Sequence, residues 1–543
     1  MNVGEALLNA LKEAGAKALF GIPGDYVLPF FDVIEESRIL PLHAFSHEPA
    51  VGYAADAAAR HGGGVGVAVV TYGAGALNMV NAVACAWSER SPLVIISGAP
   101  GTTEFGQGLL LHHQIRRSGS QMRIFEELTC ARTALNDPAK APKEIARVLR
   151  ACLRHSRPVY IELPRNIAQA PCQPVPPPRR AGGNKITLRR CAKEIGQKLV
   201  KAKRPAILAD VEVRRFGLED TVLALAEKTG IPLATTFMGK GMFAGHPQAC
   251  PGTYLGMAGD DGLRHVIENS DCLLMLGVIT SDTNLGMAGK KIDLGKTIRI
   301  NEGDILVGKK KFKGISPAAL IGALLENLPK KKEKRPASIN TRLPQKPLQD
   351  RPLSADDIAG IINTQIEAFP KMPLAVDVGD CLFISMSIRD VPFLASGYYA
   401  TMGFGIPAGL GVQAATGERP LIIAGDGGFQ MTGWELMNCA RSGLDPVVLV
   451  LNNGGWGMLK QFHQQAGYTA RGDISYAALA EVLGGEGHKA GTTTELATAL
   501  QKAFRRRGKF QLIDARLPKN DISTTLKRYI AALKSGMTLQ AAA

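Results

Sequence analysis

Short apolar segments alternate with helix-like segments along most of this 543-residue chain. In the first part of the chain, four apolar runs have the length and composition of buried strands, Ala18–Ile22, Val65–Thr71, Leu93–Ser97 and Val159–Leu163. Buried strands separated by helices form parallel sheets, because parallel neighbours need a long crossover connection. The sequence therefore predicts an α/β fold of doubly wound parallel sheets.

Two segments of unusual composition divide the chain. Residues 166–184 are rich in proline and glycine, and residues 327–353 are rich in lysine, proline and arginine. Neither composition sustains a helix or a central strand, so both segments are predicted linkers. We expect an N-terminal domain at residues 1–165, a central α/β domain at residues 185–326 and a C-terminal domain at residues 354–543.

The chain is basic, with a formal net charge of +16. The charge lies in short runs at Lys309–Lys313, Lys330–Lys334 and Arg505–Arg507, and no nucleic-acid-binding motif accompanies them. We therefore expect solvated basic surfaces that attract anionic small molecules, and no nucleic-acid partner. A non-catalytic basic binding protein is the alternative, which salt-sensitive binding without turnover would reveal.

Cysteine usage and hydropathy indicate a location. The nine cysteines lack C-x-x-C spacing, which argues against a disulfide framework or a zinc site. The N-terminal segment lacks the apolar core of a signal peptide, and no stretch of apolar residues is long enough for a transmembrane helix. We expect a cytoplasmic protein with no membrane partner.

The strongest chemical signal lies where two apolar strands end. Gly425-Asp426-Gly427 follows one strand and Asn453 follows the next, with a single helix predicted between them at Thr432–Ser442. Ligands of open α/β sheets bind at the carboxyl ends of neighbouring parallel strands. We therefore expect both segments to contribute to one binding site.

These residues have the chemistry of a magnesium–diphosphate site. Mg²⁺ prefers oxygen ligands, and the Asp426 carboxylate, the Asn453 side-chain oxygen and the Gly455 carbonyl would supply three of them. Gly427 and Gly428 would allow backbone N–H groups to approach a diphosphate closely. The sequence therefore predicts that a metal-bound diphosphate is held here.

A GDG tripeptide followed by paired asparagines resembles the diphosphate-binding motif of thiamin-diphosphate enzymes. The resemblance extends over essentially the whole chain, through the segments FGIPGD, LHAFSHEPAVGYAADAAAR, LLLHHQ, SDTN and GDCLF. It is with the thiamin-diphosphate-dependent 2-oxo acid decarboxylases, and within them with the bacterial phenylpyruvate and indole-3-pyruvate decarboxylases. It implies thiamin diphosphate and Mg²⁺ as cofactors and non-oxidative decarboxylation of a 2-oxo acid to an aldehyde and CO₂.

The resemblance also implies an architecture. Three doubly wound parallel-sheet domains are expected, with the pyrimidine-binding domain at residues 1–165 and the diphosphate- and Mg-binding domain at residues 354–543. In this family the two half-sites meet across a subunit interface. A homo-oligomer is therefore implied, at least a dimer and usually a tetramer.

Four residues of the N-terminal domain match the family's catalytic residues. Glu48 resembles the glutamate that hydrogen-bonds to the aminopyrimidine ring of the cofactor and promotes its activation. Asp25, His112 and His113 resemble the groups that supply protons when the aldehyde is formed and released. Asp25 and His113 are the preferred proton-transfer pair, and His112 is expected to support their orientation.

Three residues of the C-terminal domain are implied to contact the cofactor. Met402 matches the bulky residue that bends the cofactor and brings its amino group close to the reactive carbon, which is a proximity effect. The Ala400 carbonyl would accept a hydrogen bond from that amino group, and Asp380 would line the diphosphate end.

One departure from the pyruvate decarboxylases bears on the substrate. A glutamate follows the metal-binding asparagine in those enzymes, whereas this chain has Leu459 at the corresponding position. Asp282 is a candidate substitute carboxylate. An apolar pocket favours an aromatic or long side chain over a methyl group, because each buried CH₂ contributes about 0.8 kcal/mol. The candidate pocket residues are Thr71, Leu382, Trp456, Met458, Leu459 and Phe462.

Several substrates and reactions stay open at this point. Phenylpyruvate and indole-3-pyruvate are the expected substrate types, and branched or long-chain aliphatic 2-oxo acids are the alternative. A carboligase of the acetolactate synthase type uses the same cofactor but lacks the histidine pair. A benzoylformate-type decarboxylase would be separated from this interpretation by the relative turnover of benzoylformate and phenylpyruvate.

Overall fold

Three six-stranded sheets flanked by helices form the described part of the molecule. The computed structural model describes residues 1–104, 109–177, 184–286, 291–330, 349–369, 372–463, 465–470 and 472–541. Most of the predicted linker at 327–353, with most of the basic run Lys330–Lys334, and residues 178–183 of the other linker lie outside the described residues. Within the described ranges, no helix has both the length and the apolarity needed to cross a membrane.

The N-terminal sheet is entirely parallel, with the strand order β2-β1-β3-β4-β6-β5. Its strands are β1 (Leu19–Gly21), β2 (Leu42–Ala44), β3 (Gly66–Val70), β4 (Leu93–Ala99), β5 (Ala131–Ala134) and β6 (Val159–Pro164). Its helices are α1 (Val3–Glu13), α2 (Leu28–Ser37), α3 (Glu48–Gly62), α4 (Ala74–Asn78), α5 (Val80–Ser88), α6 (Ser120–Ile124) and α7 (Ala141–His155). The four predicted strands are present, shifted by one or two residues at their ends.

The middle sheet is mixed, with the order β12-β11-β10-β9-β7-β8. Its strands are β7 (Pro205–Ala209), β8 (Leu233–Thr235), β9 (Cys272–Leu276), β10 (Ile298–Asn301), β11 (Asp304–Val307) and β12 (Lys310–Phe312). Its helices are α8 (Lys185–Lys201), α9 (Val211–Arg215), α10 (Glu219–Thr229), α11 (Asp261–Glu268) and α12 (Pro317–Asn327).

The last three strands of this sheet pair antiparallel, an edge that the sequence did not predict, whereas the other pairs of the sheet are parallel as expected. Two-residue turns join them. Gly303 and Gly308 adopt positive φ angles of 74° and 62° in these turns, a conformation that suits the tight connection of antiparallel neighbours.

The C-terminal sheet is entirely parallel, with the order β14-β13-β15-β16-β18-β17. Its strands are β13 (Leu374–Val376), β14 (Phe393–Ala395), β15 (Leu421–Gly425), β16 (Val447–Asn452), β17 (Glu486–Ala490) and β18 (Gln511–Arg516). Its helices are α13 (Ala355–Ala368), α14 (Asp380–Ser385), α15 (Gly405–Thr416), α16 (Asp426–Thr432), α17 (Cys439–Ser442), α18 (Gly457–Lys460), α19 (Tyr476–Val482), α20 (Thr493–Arg505) and α21 (Thr524–Ala541).

The single helix predicted at Thr432–Ser442 is wrong. Helical structure begins directly at Asp426, and a 3₁₀ segment at Gly433–Asn438 separates α16 from α17. A 3₁₀ helix places residues three apart on one side. Glu435 and Asn438 use this spacing to bind Ser46 of the N-terminal domain, which accounts for the tighter path of the chain.

The N- and C-terminal domains share a core through α3 and α15. The two helices approach closely, because a Cβ at Gly411 would lie 2.1 Å from the Ala54 carbonyl oxygen. Tyr53 of α3 packs edge-on against Phe404, with ring centroids 5.7 Å apart, and its hydroxyl lies 2.8 Å from that of Thr401. The small residues of α3 therefore fix its position against the C-terminal domain.

Candidate active site

Asp25, His112 and His113 lie together at the carboxyl-end side of the N-terminal sheet. Asp25 is in the loop after β1, and its carboxylate contacts His112 Nε2 and lies 3.7 Å from His113 Nε2. The adjacent histidines can face the same carboxylate because His113 adopts a positive φ of 65°. The predicted proton-transfer groups are thus within contact distance of one another.

Tyr26 supports this cluster and was missed by the sequence reasoning. Its hydroxyl lies 2.9 Å from His112 Nδ1, and the two rings stack with centroids 4.5 Å apart. Burial opposes ionisation of Asp25, but the hydrogen bond and charge of His112 outweigh it and lower the pKa of Asp25. Asp25 and His112 therefore hold each other in place through this contact.

A buried polar network anchors the loop beneath His113. Gly73 has a positive φ, and a Cβ there would lie 2.0 Å from the His113 carbonyl oxygen. The Gly73 N–H donates to Gln121 Oε1 at 2.7 Å, and Gln121 in turn contacts Tyr160, which donates to Glu162. Burial raises the pKa of Glu162 to about 7. Gln121 is a second residue that no motif indicated.

Glu48 is the first residue of α3 and is half-buried. Its Oε2 accepts a hydrogen bond from Asn78 Nδ2 at 2.8 Å. A Cβ at Gly75 would lie 3.7 Å from Glu48 Oε1, so the start of the neighbouring helix leaves room beside the carboxylate. Asn78 therefore orients the Glu48 carboxylate, and the space beside it would admit the pyrimidine ring of the implied cofactor.

The predicted metal ligands follow two adjacent strands. Gly425 of β15 pairs with Leu451 of β16, so Asp426 and Asn453 follow neighbouring strand ends. Asp426 is buried, and Asn453 Nδ2 donates to the Asp521 carbonyl at 3.1 Å, which directs its amide oxygen elsewhere. The Gly455 carbonyl belongs to the same turn. These are hard oxygen donors of the kind that Mg²⁺ binds, so the residues fit a metal-bound diphosphate.

The glycines of the motif are required by close packing. A Cβ at Gly427 would lie 2.3 Å from Trp456 Nε1 and 3.5 Å from Met402 Cε, so the three residues converge. A Cβ at Gly428 would lie 2.8 Å from Asp377 Cγ. Met402 is thus next to the GDG turn, as its predicted contact with the cofactor requires.

Asp377 positions the Met402 segment. Its carboxylate accepts hydrogen bonds from the N–H groups of Gly403 and Gly405, each at 3.1 Å. Burial raises the pKa of Asp377 to about 6. No sequence motif indicated this role of Asp377, which directly follows β13.

Asp380 and Ala400 lie at the edges of this half-site. Asp380 begins α14 and accepts a hydrogen bond from the Ser523 N–H at 2.6 Å, and burial raises its pKa to about 6. Ala400 is exposed and has a positive φ of 57°, a conformation that is unfavourable for a residue with a Cβ. This strained conformation sets the direction of the Ala400 peptide group, two residues before Met402.

The predicted pocket residues differ in their surroundings. Leu382 is buried in the core of the C-terminal domain, whereas Leu459 on α18 is exposed. Asp282 belongs to the middle domain, accepts the N–H of Thr283, and acts electrostatically on Tyr529 of α21. The other candidates are partly buried, namely Thr71, Trp456, Met458 and Phe462.

Comparison with known proteins identifies each domain. Residues 1–123 match the thiamine pyrophosphate enzyme N-terminal TPP binding domain, residues 192–328 the central domain and residues 377–515 the C-terminal TPP binding domain. An indole-3-pyruvate decarboxylase of Azospirillum brasilense is 48% identical over 540 residues, which cover 98% of both chains.

More distant relatives extend over the same length. An alpha-keto-acid decarboxylase of Mycobacterium bovis is 30% identical over 98% of this chain and 97% of its own. A probable pyruvate decarboxylase of Schizosaccharomyces pombe is 28% identical with the same coverage. The fold, the oxygen-donor site and these similarities agree: the chain belongs to the thiamin-diphosphate-dependent 2-oxo acid decarboxylases, which are carboxy-lyases that use a divalent metal ion.

Proposed function

We propose that this enzyme decarboxylates an aromatic or bulky 2-oxo acid, of the phenylpyruvate or indole-3-pyruvate type, and releases the aldehyde. The observation that carries the proposal is the exposed Leu459 on α18, which follows the metal-binding turn where a pyruvate decarboxylase has a carboxylate. Met458 and Phe462 add apolar surface beside it. The activity named for the Azospirillum brasilense relative supports the same substrate class.

Each site residue has a proposed task. Asp426, Asn453 and Gly455 bind the metal, and Gly425, Gly427 and Gly428 keep the turn narrow enough for backbone groups to contact the diphosphate. Glu48 hydrogen-bonds to the pyrimidine ring, while Met402, Ala400 and Asp380 position the cofactor. Thiamin diphosphate, when bound, supplies the electron sink for CO₂ loss.

Proton transfer is assigned to the N-terminal cluster. Asp25 and His113 deliver and accept protons at the reacting carbon and its oxygen, and His112 orients Asp25. Asp282 is proposed as an additional carboxylate near the substrate.

The complete site is proposed to form between two copies of the chain. Met431 near the end of α16, and Trp434 and Met437 in the 3₁₀ segment that contacts Ser46, are exposed, and Trp434 is 57% exposed. Exposed large apolar side chains at three-residue spacing favour association with another surface. We propose a homodimer as the minimal active unit and a homotetramer as the full assembly.

A cytoplasmic location is also proposed. All nine cysteines are free, and six of them are buried in hydrophobic cores of the three domains. Thiols in this number are typical of proteins in a reducing compartment.

The deciding experiment is a panel of 2-oxo acids assayed with and without thiamin diphosphate and Mg²⁺. We expect aldehyde and CO₂ from phenylpyruvate and indole-3-pyruvate, with kcat/KM above that for pyruvate, and no turnover after both cofactors are removed. A preference for pyruvate or benzoylformate would contradict the substrate assignment. Acetolactate as the main product from pyruvate would indicate a carboligase instead.

A further inference from the structure

We propose that Asp25, His112 and His113 also form a binding site for a divalent transition-metal ion such as Zn²⁺, separate from the magnesium site at Asp426. One ligand atom from each of the three side chains lies within 4.8 Å of the others. Two imidazole nitrogens and one carboxylate oxygen, with a fourth position open to water, make up a ligand set that zinc uses in proteins.

The ligand atoms already converge. Nε2 of His112 faces Asp25 Oδ2, and Nε2 of His113 lies 3.7 Å from Asp25 Oδ1. Tetrahedral zinc with bonds of about 2.0–2.2 Å places its ligand atoms about 3.3 Å apart. Small side-chain rotations would therefore complete the geometry without a change in the backbone, whose unusual conformation at His113 already directs both imidazoles to the same carboxylate.

Tyr26 gives the site the support that metal-bound histidines require. Its hydroxyl lies 2.9 Å from His112 Nδ1, so the Nδ1–H can donate to it while Nε2 stays unprotonated and available to the ion. The Tyr26 ring is buried and stacks on the His112 ring, which limits rotation of the imidazole. The nearby Arg165 is paired with Glu104, so its charge is compensated.

Ligand chemistry separates the two metal sites. The Asp426 site offers only oxygen atoms, which suit Mg²⁺, whereas imidazole nitrogen favours Zn²⁺ and Cu²⁺. In the single chain the Asp25, His112 and His113 side chains are 42%, 59% and 34% exposed, so their ligand atoms are accessible to an ion. A bound ion would occupy the lone pairs that carry protons, and Zn²⁺ would therefore inhibit turnover. This inhibition rests on the proposed function, but the binding does not.

The test uses the holoenzyme with thiamin diphosphate and excess Mg²⁺, titrated with Zn²⁺ by calorimetry and with Co²⁺ by visible absorption. We expect one site per chain. His113→Gln should weaken Zn²⁺ binding at least ~10-fold and Tyr26→Phe about 10-fold, since outer hydrogen-bond partners contribute that much to affinity. His155→Gln, which alters a partly exposed histidine on α7, is the matched control and should bind as the wild type does.

Asp25→Asn provides a second ligand variant of nearly unchanged shape, should His113→Gln fold poorly. Equal Zn²⁺ affinity in the wild type and in both ligand variants would overturn the proposal. Displacement of Zn²⁺ by added Mg²⁺ would also overturn it, because the ion would then occupy the Asp426 site. Because binding is read without turnover, a wild type that binds Zn²⁺ as expected but decarboxylates no 2-oxo acid would refute the proposed function alone.

Discussion

Glu48 occupies a position where a small chemical change should have a large effect on turnover. Its carboxyl group is oriented by Asn78 and begins α3, so Glu48→Gln keeps the side-chain shape and removes the ionisable proton. We expect kcat to fall by roughly 100-fold or more, the contribution typical of a positioned acid or base, with an unchanged unfolding temperature. Steady-state kinetics and thermal unfolding measure the two quantities. Glu35→Gln, on the surface of α2, is the matched control, and wild-type turnover of Glu48→Gln would contradict the assignment.

Glu162 should make stability depend on pH. Burial raises its pKa from 4.5 to about 7, so the folded state holds this proton more tightly than the unfolded chain does. The resulting stabilisation is complete below about pH 4.5 and is lost as the pH rises through 7. Glu162→Gln keeps an acceptor for Tyr160 and cannot ionise.

We therefore expect the free energy of unfolding of the wild type to fall, relative to Glu162→Gln, by about 2–3 kcal/mol between pH 4.5 and pH 8. Urea unfolding at both pH values measures the difference. The exposed Glu36→Gln should show no such difference. A wild type and Glu162→Gln with parallel pH profiles would mean that Glu162 stays ionised in the folded protein.

Residues that follow strand ends in recognisable motifs could be predicted from the sequence, and residues that support them could not. Asp426 and Asn453 follow predictable strands, so their proximity could be expected. Tyr26, Gln121 and Asp377 act through partners distant in sequence, such as Gly73, which is 48 residues from Gln121. Only the folded chain brings such groups together. The catalytic and binding roles themselves stay predictions.

Among the elements, α18 is the one expected to select the substrate. Leu459→Glu would place a carboxylate beside the aryl group of the substrate. Removing this carboxylate from water against an apolar ring is costly, so the variant should favour short acids. We expect the ratio of kcat/KM for pyruvate to that for phenylpyruvate to rise at least ~10-fold. Kinetics with both substrates provide the measurement. Val482→Glu adds the same charge at an exposed position on α19 and should leave the ratio unchanged; an unchanged ratio in Leu459→Glu would remove α18 from the pocket.

The contact between α3 and α15 should tolerate no added methyl group. A Cβ at Gly411 would overlap the Ala54 carbonyl oxygen, so Gly411→Ala must separate the helices. We expect a loss of about 1–3 kcal/mol in the free energy of unfolding. Gly360→Ala is the matched control, because a Cβ at Gly360 in α13 would meet no packed neighbour within 4 Å, and it should gain about 0.5–1 kcal/mol. Urea unfolding compares the two, and equal stability of Gly411→Ala and the wild type would show that the helices can move apart freely.

Elements with a clear hydrophobic pattern were predicted well, and those set by tertiary context were not. Apolar runs such as Leu93–Ser97, which lies in the observed strand Leu93–Ala99, identified central parallel strands because burial on both faces requires continuous apolar residues. The antiparallel edge formed by β10, β11 and β12 was not predicted, because its short strands depend on the two turns at Gly303 and Gly308. The 3₁₀ segment Gly433–Asn438 follows from its contacts with Ser46, which no local pattern encodes.

At the scale of the whole molecule, assembly is the property to test. Trp434→Glu introduces a charge into the exposed apolar surface of Met431, Trp434 and Met437. We expect it to raise the dissociation constant of the oligomer at least ~10-fold, because aromatic residues at the centre of an interface contribute strongly, and to lower activity at dilute enzyme concentration. Analytical ultracentrifugation measures the distribution. Ile186→Glu, at an exposed apolar position on α8, should assemble normally, and an intact oligomer of Trp434→Glu would exclude this surface as the interface.

The edge of the middle sheet offers an explanation for part of the chain's positive charge. Strand β12 is the last strand of that sheet, and its Lys310 and Lys311 are exposed. An edge strand presents unpaired backbone groups that can add strands from another molecule, and lysines there repel such an approach. The basic run at Lys309–Lys313 would thus protect the protein from strand-mediated aggregation at high concentration, a task unrelated to catalysis.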